Sequence, residues 1–255
     1  MRGKVYEVAV LLKAYEILDF LLTKGEATFT EIYTSLGHPK SSTYKTISTL
    51  ESLGLVRMIG QSNRYTLGLR LIELGAKAAN QIDMTTEAKP ILRKLSMDSR
   101  RTCHLGILDG SEVVYLLKEN VYGVISLDTW AGKRLGVHCT AMGKVLLAWR
   151  SEKEVDHILE GAKFTKYTPN TVTTPAEIKE SLVEVRARGW ATDDEESNKM
   201  VRCIAAPVRD TRGKVCAAIS ITTLIDLDNY EQLLGLTNMV VDAAGELSKK
   251  LGSSV

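Results

Sequence analysis

Ser42, Lys45, Thr46 and Thr49 fall at i, i+3, i+4 and i+7, so a helix through them carries three hydroxyls and one ammonium on one face. No carboxylate occurs between Pro39 and Leu50. A face of donors with nothing to repel phosphate suits the major groove of duplex DNA, where side chains read base edges and phosphate contacts fix the register. On this reading Ser42, Lys45 and Thr46 meet bases, while Ser41 and Thr43 meet phosphates. Tyr44, Ile47 and Leu50 lie on the opposite face, toward a core. Tyr44 is also counted with the DNA-contacting tract in which it sits.

The flanking residues supply the elements that would hold such a helix. Thr28-Phe29-Thr30-Glu31 reads as a capping box, in which a hydroxyl and a carboxylate satisfy orphan amides at a helix start. Phe29, Ile32, Tyr33 and Leu36 then form one apolar stripe, and Gly37-His38-Pro39 breaks the helix before a second begins near Ser41. Two β-prone runs, 55–60 and 63–67, surround Gly60-Gln61-Ser62, a hairpin signal. A hairpin after a DNA-reading helix is a wing, from which Arg57, Asn63 and Arg64 would grip phosphates. An earlier helix is expected over 5–23, with Val8, Leu11, Leu12, Tyr15, Leu18 and Leu22 on one face and Lys24-Gly25 ending it. A connector helix is expected over 68–81, with Leu71, Ile72, Leu74, Gly75 and Ala78 apolar or small. Their surface has no obvious partner in so small a module, and a second copy of the chain is expected to cover it.

The 44% hydrophobic and 25% charged content is that of a folded protein, and 255 residues suffice for a small module plus one larger domain. Net charge is +2, but residues 1–80 hold ten Lys/Arg against seven Asp/Glu and the remainder is slightly acidic, which places any nucleic-acid contact in the N-terminal part. No stretch reads as a secretory leader or a membrane span: 8–22 is interrupted by Lys13, Glu16 and Asp19. The cysteines at 103, 139, 203 and 216 show no CxxC spacing, so a reduced cytoplasm is the expected compartment. Cys103-His104 and His138-Cys139 each offer one metal ligand at most, because neighbours on a strand point to opposite faces.

Beyond residue 84 the pattern is mixed. A helix is expected over 85–100, with Pro90 either kinking it or marking its first turn. Strands follow over 102–108, 112–118 and 122–128, the first two joined by Asp109-Gly110. Helices at 140–149, 151–160 and 175–188 precede strands at 200–209 and 214–223, and one long helix covers 227–251 with Leu233, Leu236, Val240, Ala244, Leu247 and Leu251 inward. Hairpins packed with helices make an α+β domain around an antiparallel sheet.

Five blocks in order resemble the IclR family of bacterial transcriptional regulators. They are Lys40-Ser41-Ser42-Thr43-Tyr44-Lys45 with Leu53-Gly54-Leu55; Tyr65-Thr66-Leu67-Gly68 with Leu74-Gly75; His104-Leu105 with Leu108-Asp109-Gly110; the run from Thr140 to Ala148; and Asp194-Glu195-Glu196 with Cys203 to Val208. Gly143 to Arg150 with Ile158-Leu159-Glu160-Gly161 further resembles members that regulate sugar-acid catabolism. The resemblance implies a winged helix-turn-helix over residues 1–67, a linker helix over 68–83, and a GAF-like antiparallel effector domain over 84–255. Such proteins are homodimers, often pairing into dimers of dimers, that repress or activate catabolic operons; repression is the sign expected here. They bind double-stranded operator DNA and a small carboxylate or sugar acid, and need no cofactor. Effector residues of the family map to Ala141, Met142, Asp193, Cys203, Ser220 and Thr222, with Leu127, Leu135 and Val201 as an apolar wall. Met142 stands where a small residue is commoner and Thr222 where serine is, so both add bulk.

The residues themselves are compatible with that role. Ser220 and Thr222 are two apart on a strand and share a side. The amides of Ala141 and Met142 open a helix whose positive end receives a carboxylate. Asp193 is an acceptor for a ligand hydroxyl. The same residues also fit an ordinary interior, with Cys203 a small buried hydrophobe. Two other readings stay open: an enzyme built on Cys203, His104 or His138 and Asp193 as nucleophile, base and orienter, and a DNA-binding protein with no ligand. Against the enzyme, the sequence has no glycine-rich nucleophile turn, phosphate loop or HExxH helix.

Overall fold

A computed structural model of the chain describes residues 7–60, 62–80, 83–120 and 128–253. Packing divides it into two units, Met1–Gln81 and Ile82–Val255. The strand expected at 122–128 falls almost wholly outside the described residues, as do Leu127 and the expected first residues of the opening helix.

The first unit runs α1 (Ala9–Lys24), β1 (Glu26–Thr28), α2 (Phe29–Ser35), α3 (Lys40–Ser52), β2 (Val56–Met58), β3 (Arg64–Leu67) and α4 (Arg70–Asn80). The capping box forms as the sequence implies: Glu31 N donates to Thr28 Oγ1 and Thr28 N to Glu31 Oε2 at 2.7 Å. A hydrogen bond from Lys24, with those from Thr28, holds the Glu31 carboxyl down at about 2. The β2–β3 hairpin is the expected wing, turned with Gly60 and Asn63 in the left-handed region. β1 is an addition that three residues of sequence do not announce; it pairs with the outer edge of β3, giving the sheet order β1-β3-β2.

The core of this unit corrects the reading of α1. Ile17 and Leu21 are buried, with Ala14 and Leu18 packed beside them. The rest of the expected face, Val8, Leu11, Leu12, Tyr15 and Leu22, is exposed. α1 is apolar on two sides, and a core completed by Ile32, Ile47, Leu50 and Val56 has room for only one of them. On and just before α4, Leu69, Ile72 and Leu74 are likewise exposed.

One close approach fixes the wing to α3. Gly68 N donates to Leu55 O and Arg70 N to Gly54 O, and a Cβ on Gly68 would lie 2.0 Å from Gly54 O, a backbone atom that cannot swing away. Gly54 itself is left-handed, at φ +70°.

The second unit runs α5 (Asp83–Ser99), β4 (Thr102–Asp109), β5 (Glu112–Glu119), β6 (Arg134–Gly136), a 3₁₀ turn (Val137–Cys139), α6 (Ala141–Ala148), α7 (Glu152–Glu160), α8 (Pro175–Arg188), β7 (Ala191–Asp194), β8 (Val201–Arg209), β9 (Val215–Leu224), α9 (Tyr230–Gly235) and α10 (Thr237–Lys250). Pro90 lies inside α5. The expected helix over 227–251 is two, because the chain steps at Gly235-Leu236 after an Asn229–Gln232 capping box. The sheet is antiparallel throughout, in the order β6-β5-β4-β9-β8-β7. Strand alternation makes two cores. Cys103, Leu105, Ile204, Ala206, Ile219 and Ile221 face α5 and α10, and Val113, Tyr115, Ala191, Ala205 and Ala218 face α6 and α8.

Gly68→Ala is expected to lower stability by about 3 kcal/mol, since the new methyl must push apart two backbone segments. A thermal-unfolding midpoint within a degree of the unsubstituted protein rules out this tight crossing.

Candidate DNA-reading surface and effector cavity

α3 has no side-chain cap at Pro39 and begins with Lys40, free of acidic residues in its first turn. Its exposed face is Ser41, Tyr44, Lys45, Ser48 and Thr49, at i, i+3, i+4, i+7 and i+8. The surface is therefore rotated by about one residue from the sequence reading. Thr43 is completely buried and gives its hydroxyl to Pro39 O at 3.0 Å; Thr46 is buried and bonds back to Ser42 O at 3.0 Å. Neither is on the outer surface, so the base-reading role given to Thr46 and the phosphate role given to Thr43 are corrected. A threonine in a helix can satisfy its hydroxyl on the preceding turn and bury its methyl, which makes it compatible with a core. Tyr44, read toward the core, is instead 61% exposed, edge-on to Phe29. Ser48 was missed, although it lies three residues beyond Lys45.

Ser42 is half-buried, accepting from Lys13 Nζ at 2.8 Å and donating to Pro39 O. On the wing Arg57 and Asn63 are exposed. Arg64 is not a free cation: its Nε lies 2.8 Å from Glu26 and its Nη2 3.9 Å from Glu31. Two carboxylates of the same module already balance it, which corrects the phosphate role expected for it.

In the second unit a cavity of about 100 Å³ opens on the α6 side of the sheet. Leu135, Val201, Cys203 and Thr222 of the expected set line it. Cys203 pairs across the sheet with Thr222 on β9 and with Asp193 on β7, so these three form one row on one face. His104, Tyr115, Asp128, Thr129, Lys133, Ser197 and Asn198 complete the wall, none of them expected there. Thr222 Oγ1 is 3.4 Å from both Cys203 Sγ and His104 Nδ1, and His104 Nε2 is 2.9 Å from Thr129 Oγ1. Burial, reinforced by Lys118 and Lys133, lowers His104 to about 3, so it is a neutral imidazole. Burial also pushes the Cys203 thiol well up. A protonated thiol beside a non-basic imidazole is the reverse of an activated nucleophile pair. Cys103 faces the other core, away from His104.

The remaining expected residues are not on the cavity surface. Ala141, Met142 and Ser220 are buried, with Met142 against Gly106. Thr140 caps α6 through Gly143 N, and Gly143 lies so close to Val137 that a Cβ would be 2.3 Å from its carbonyl oxygen. Asp193 is completely buried beside Cys203 in that row, accepting from Glu196 N at 2.7 Å and Ser197 Oγ at 2.9 Å. Burial, then the charge of Glu196, raises its carboxyl to about 7. Next to it is a pair the sequence reading missed: Lys144 of α6 donates to Glu196 Oε1 and, at 3.0 Å, to Thr192 O. A signal existed, since a single lysine in Ala-Met-Gly-Lys-Val-Leu-Leu-Ala must find a buried partner. A larger cleft of about 310 Å³, near Gly136, Lys163 and Tyr167, holds none of the expected residues.

Residues 10–58 match the IclR helix-turn-helix domain, and residues 76–249 match the bacterial transcriptional regulator IclR C-terminal domain. The chain belongs to the IclR family. It is 36% identical over 245 residues to the HTH-type transcriptional regulator KdgR of Escherichia coli K12, covering 96% of this chain and 93% of that one. It is 35% identical to XynR of the same organism, covering 94% and 96%. Among solved structures, Thermotoga maritima IclR superposes with a TM-score of 0.76 at 31% identity, over 96% of this chain and 100% of that one. IclR-family membership brings with it DNA binding, effector binding in the C-terminal domain and oligomerisation. This IclR protein is a transcriptional regulator and not an enzyme. Among its described residues no helix is long and apolar enough to cross a membrane.

Asp193 gives this IclR domain a testable pH response. Between the ordinary carboxyl value of 3.8 and about 7, the folded state holds a proton that the unfolded chain has released. Stability from this group therefore falls as pH rises through that window. In Asp193→Asn the fall between about pH 5 and 7 should be shallower, read from thermal midpoints; parallel curves for the two proteins exclude a raised Asp193.

Proposed function

We propose that this protein is a homodimeric repressor of a catabolic operon whose hold on its operator is relieved by a small hydroxylated carboxylic acid. The observation that carries the DNA half is the outer face of α3: hydroxyls, one phenol and one ammonium, with no acidic residue until Glu51. Lys45, Ser48 and Thr49 read base edges in the major groove, with Ser42 and Tyr44 at the margin. Ser41, Arg57 and Asn63 hold phosphates. Two copies meet half-sites about 10 bp apart or a multiple of that spacing.

The outward stripes of α1 and α4 are the surfaces that a second copy covers. Val8, Leu11, Tyr15 and Leu22 recur at near-heptad spacing, as a helix-to-helix seam requires. Lone exposed apolar residues are ordinary, but a repeated row on two helices of one small module is an association surface. A dimer of dimers is consistent with the same reading.

The effector half rests on the cavity wall, which combines the Thr222 and Ser197 hydroxyls, the Cys203 thiol, neutral His104 and Lys133. These are donors for hydroxyls, and Lys133, now paired with Asp128 at 3.3 Å on the same wall, is a cation that an acid would share with that carboxylate. Sugar acids combine both features, and KdgR and XynR are relatives over nearly the whole chain. Four free cysteines agree with a reduced cytoplasm. Binding is reciprocal: an acid that loosens operator binding itself binds the operator complex less tightly. Titrating the operator complex with sugar-acid salts tests the proposal, and operator affinity untouched by every acid removes the sensor.

Lys45→Ala should lower operator affinity by about 1–3 kcal/mol and relax base preference locally. Arg57→Ala should weaken all sequences alike and reduce the salt slope by about one. Thr46→Val should leave base preference unchanged, and a changed preference in a selection experiment would return Thr46 to the reading face. Leu11→Glu with Ile72→Glu should shift sedimentation equilibrium toward monomer and weaken operator binding together; an unaltered dimer places the association surface elsewhere.

A further inference from the structure

Three charged groups are shut into one corner of the second unit. Asp193 is fully buried, Glu196 is 8% exposed and Lys144 is 7% exposed. One ammonium stands against two carboxylates, and it is directed at Glu196 Oε1 and Thr192 O. Glu196 Oε2 has no hydrogen-bond partner among the described residues. The other groups that face Asp193 are Tyr115 from β5, Cys139 from the 3₁₀ turn, Cys203 from β8 and Ser197 from the following loop. Burial holds the phenol and both thiols in their neutral forms. Among the described residues Lys144 is thus the one cation facing the cluster, and an ionised Asp193 leaves a buried negative charge without a counterion, which is costly.

Ser197 and Cys203 touch Asp193 on one side and line the cavity on the other. An acid arriving in the cavity places another negative charge one side chain away. We infer that the buried Lys144–Glu196 pair makes this cavity bind its carboxylate effector together with one proton, which is taken from solvent and held on Asp193. This rests on the effector reading proposed above. The exchange balances as free protein plus carboxylate anion plus proton giving the complex, with no covalent bond made or broken in the ligand. Protonation also converts Asp193 from an acceptor into a donor beside Ser197 and Cys203. Glu196 and Lys144 become determinants of charge selectivity: a monocarboxylate is admitted with its proton, while the matching neutral amide gains nothing from acid.

The test is titration calorimetry of the full-length protein with sodium D-glycerate and sodium D-gluconate in Tris and in HEPES, buffers whose heats of ionisation differ. At about pH 7.5, where free Asp193 already holds roughly a quarter of a proton, the binding heats should differ between buffers by up to about three-quarters of a proton, and Kd should rise by up to tenfold per pH unit above about 7. Asp193→Asn should bind with equal heats in both buffers and a Kd flat with pH. Glu196→Gln removes the repelling charge and should reduce the uptake, so the inference does not depend on Asp193→Asn folding. Binding with equal heats in the unsubstituted protein overturns the proton coupling and leaves the effector reading standing. If neither salt binds between about pH 6 and 8, both fall.

Discussion

The second unit depends on one strand pairing, that of β4 with β9. Each belongs to its own hairpin, and more than a hundred residues of chain separate them, yet His104 lies opposite Ser220 and Leu105 opposite Ile219. That ladder turns two hairpins into one six-stranded sheet, and only a sheet of that breadth can bury Leu92 and Leu247 on one side and Leu146 and Leu182 on the other. The cavity is a product of the same junction. It lies where His104 on β4 meets Thr222 on β9, so residues distant in sequence are brought to 3.4 Å. At its centre the polar groups are paired, neutral imidazole with hydroxyls and hydroxyl with thiol.

Much of this was legible in advance, and the failures share physical causes. Long periodic elements are legible in the sequence: α8 matches its expected span, and the tight turn Asp109-Gly110 stands between the strands it is expected to join. β1, β6 and β7 escaped because three or four residues carry no measurable alternation, and they exist only because a neighbouring strand offers an open ladder. α10 hid its break for a related reason, since the apolar period continues through Gly235-Leu236 while the backbone steps. On α3 the error was chemical. A hydroxyl does not by itself mark the outer face, because Thr43 and Thr46 close their hydrogen bonds on the preceding turn and turn inward. Residue spacing gave the right helix, and only packing could orient it to the nearest residue.

The same limit applied to charge. Asp193 was singled out through the family likeness as a ligand acceptor, but both its oxygens are occupied by Glu196 N and Ser197 Oγ. Beside it stands an ion pair between Lys144 and Glu196, fifty-two residues apart, which no local pattern foretells. The lysine alone was a clue, being charged within an apolar helix. Its partner could be recognised only once the sheet had folded.

The Gly54–Gly68 crossing bears on more than the stability of the wing. Because Arg70 N reaches Gly54 O, the first turn of α4 is tied to the residue that ends the reading helix. The crossing works as a weld with no swivel. A torque applied along α4 is therefore carried into the C-terminal end of α3 instead of being absorbed at the joint between them.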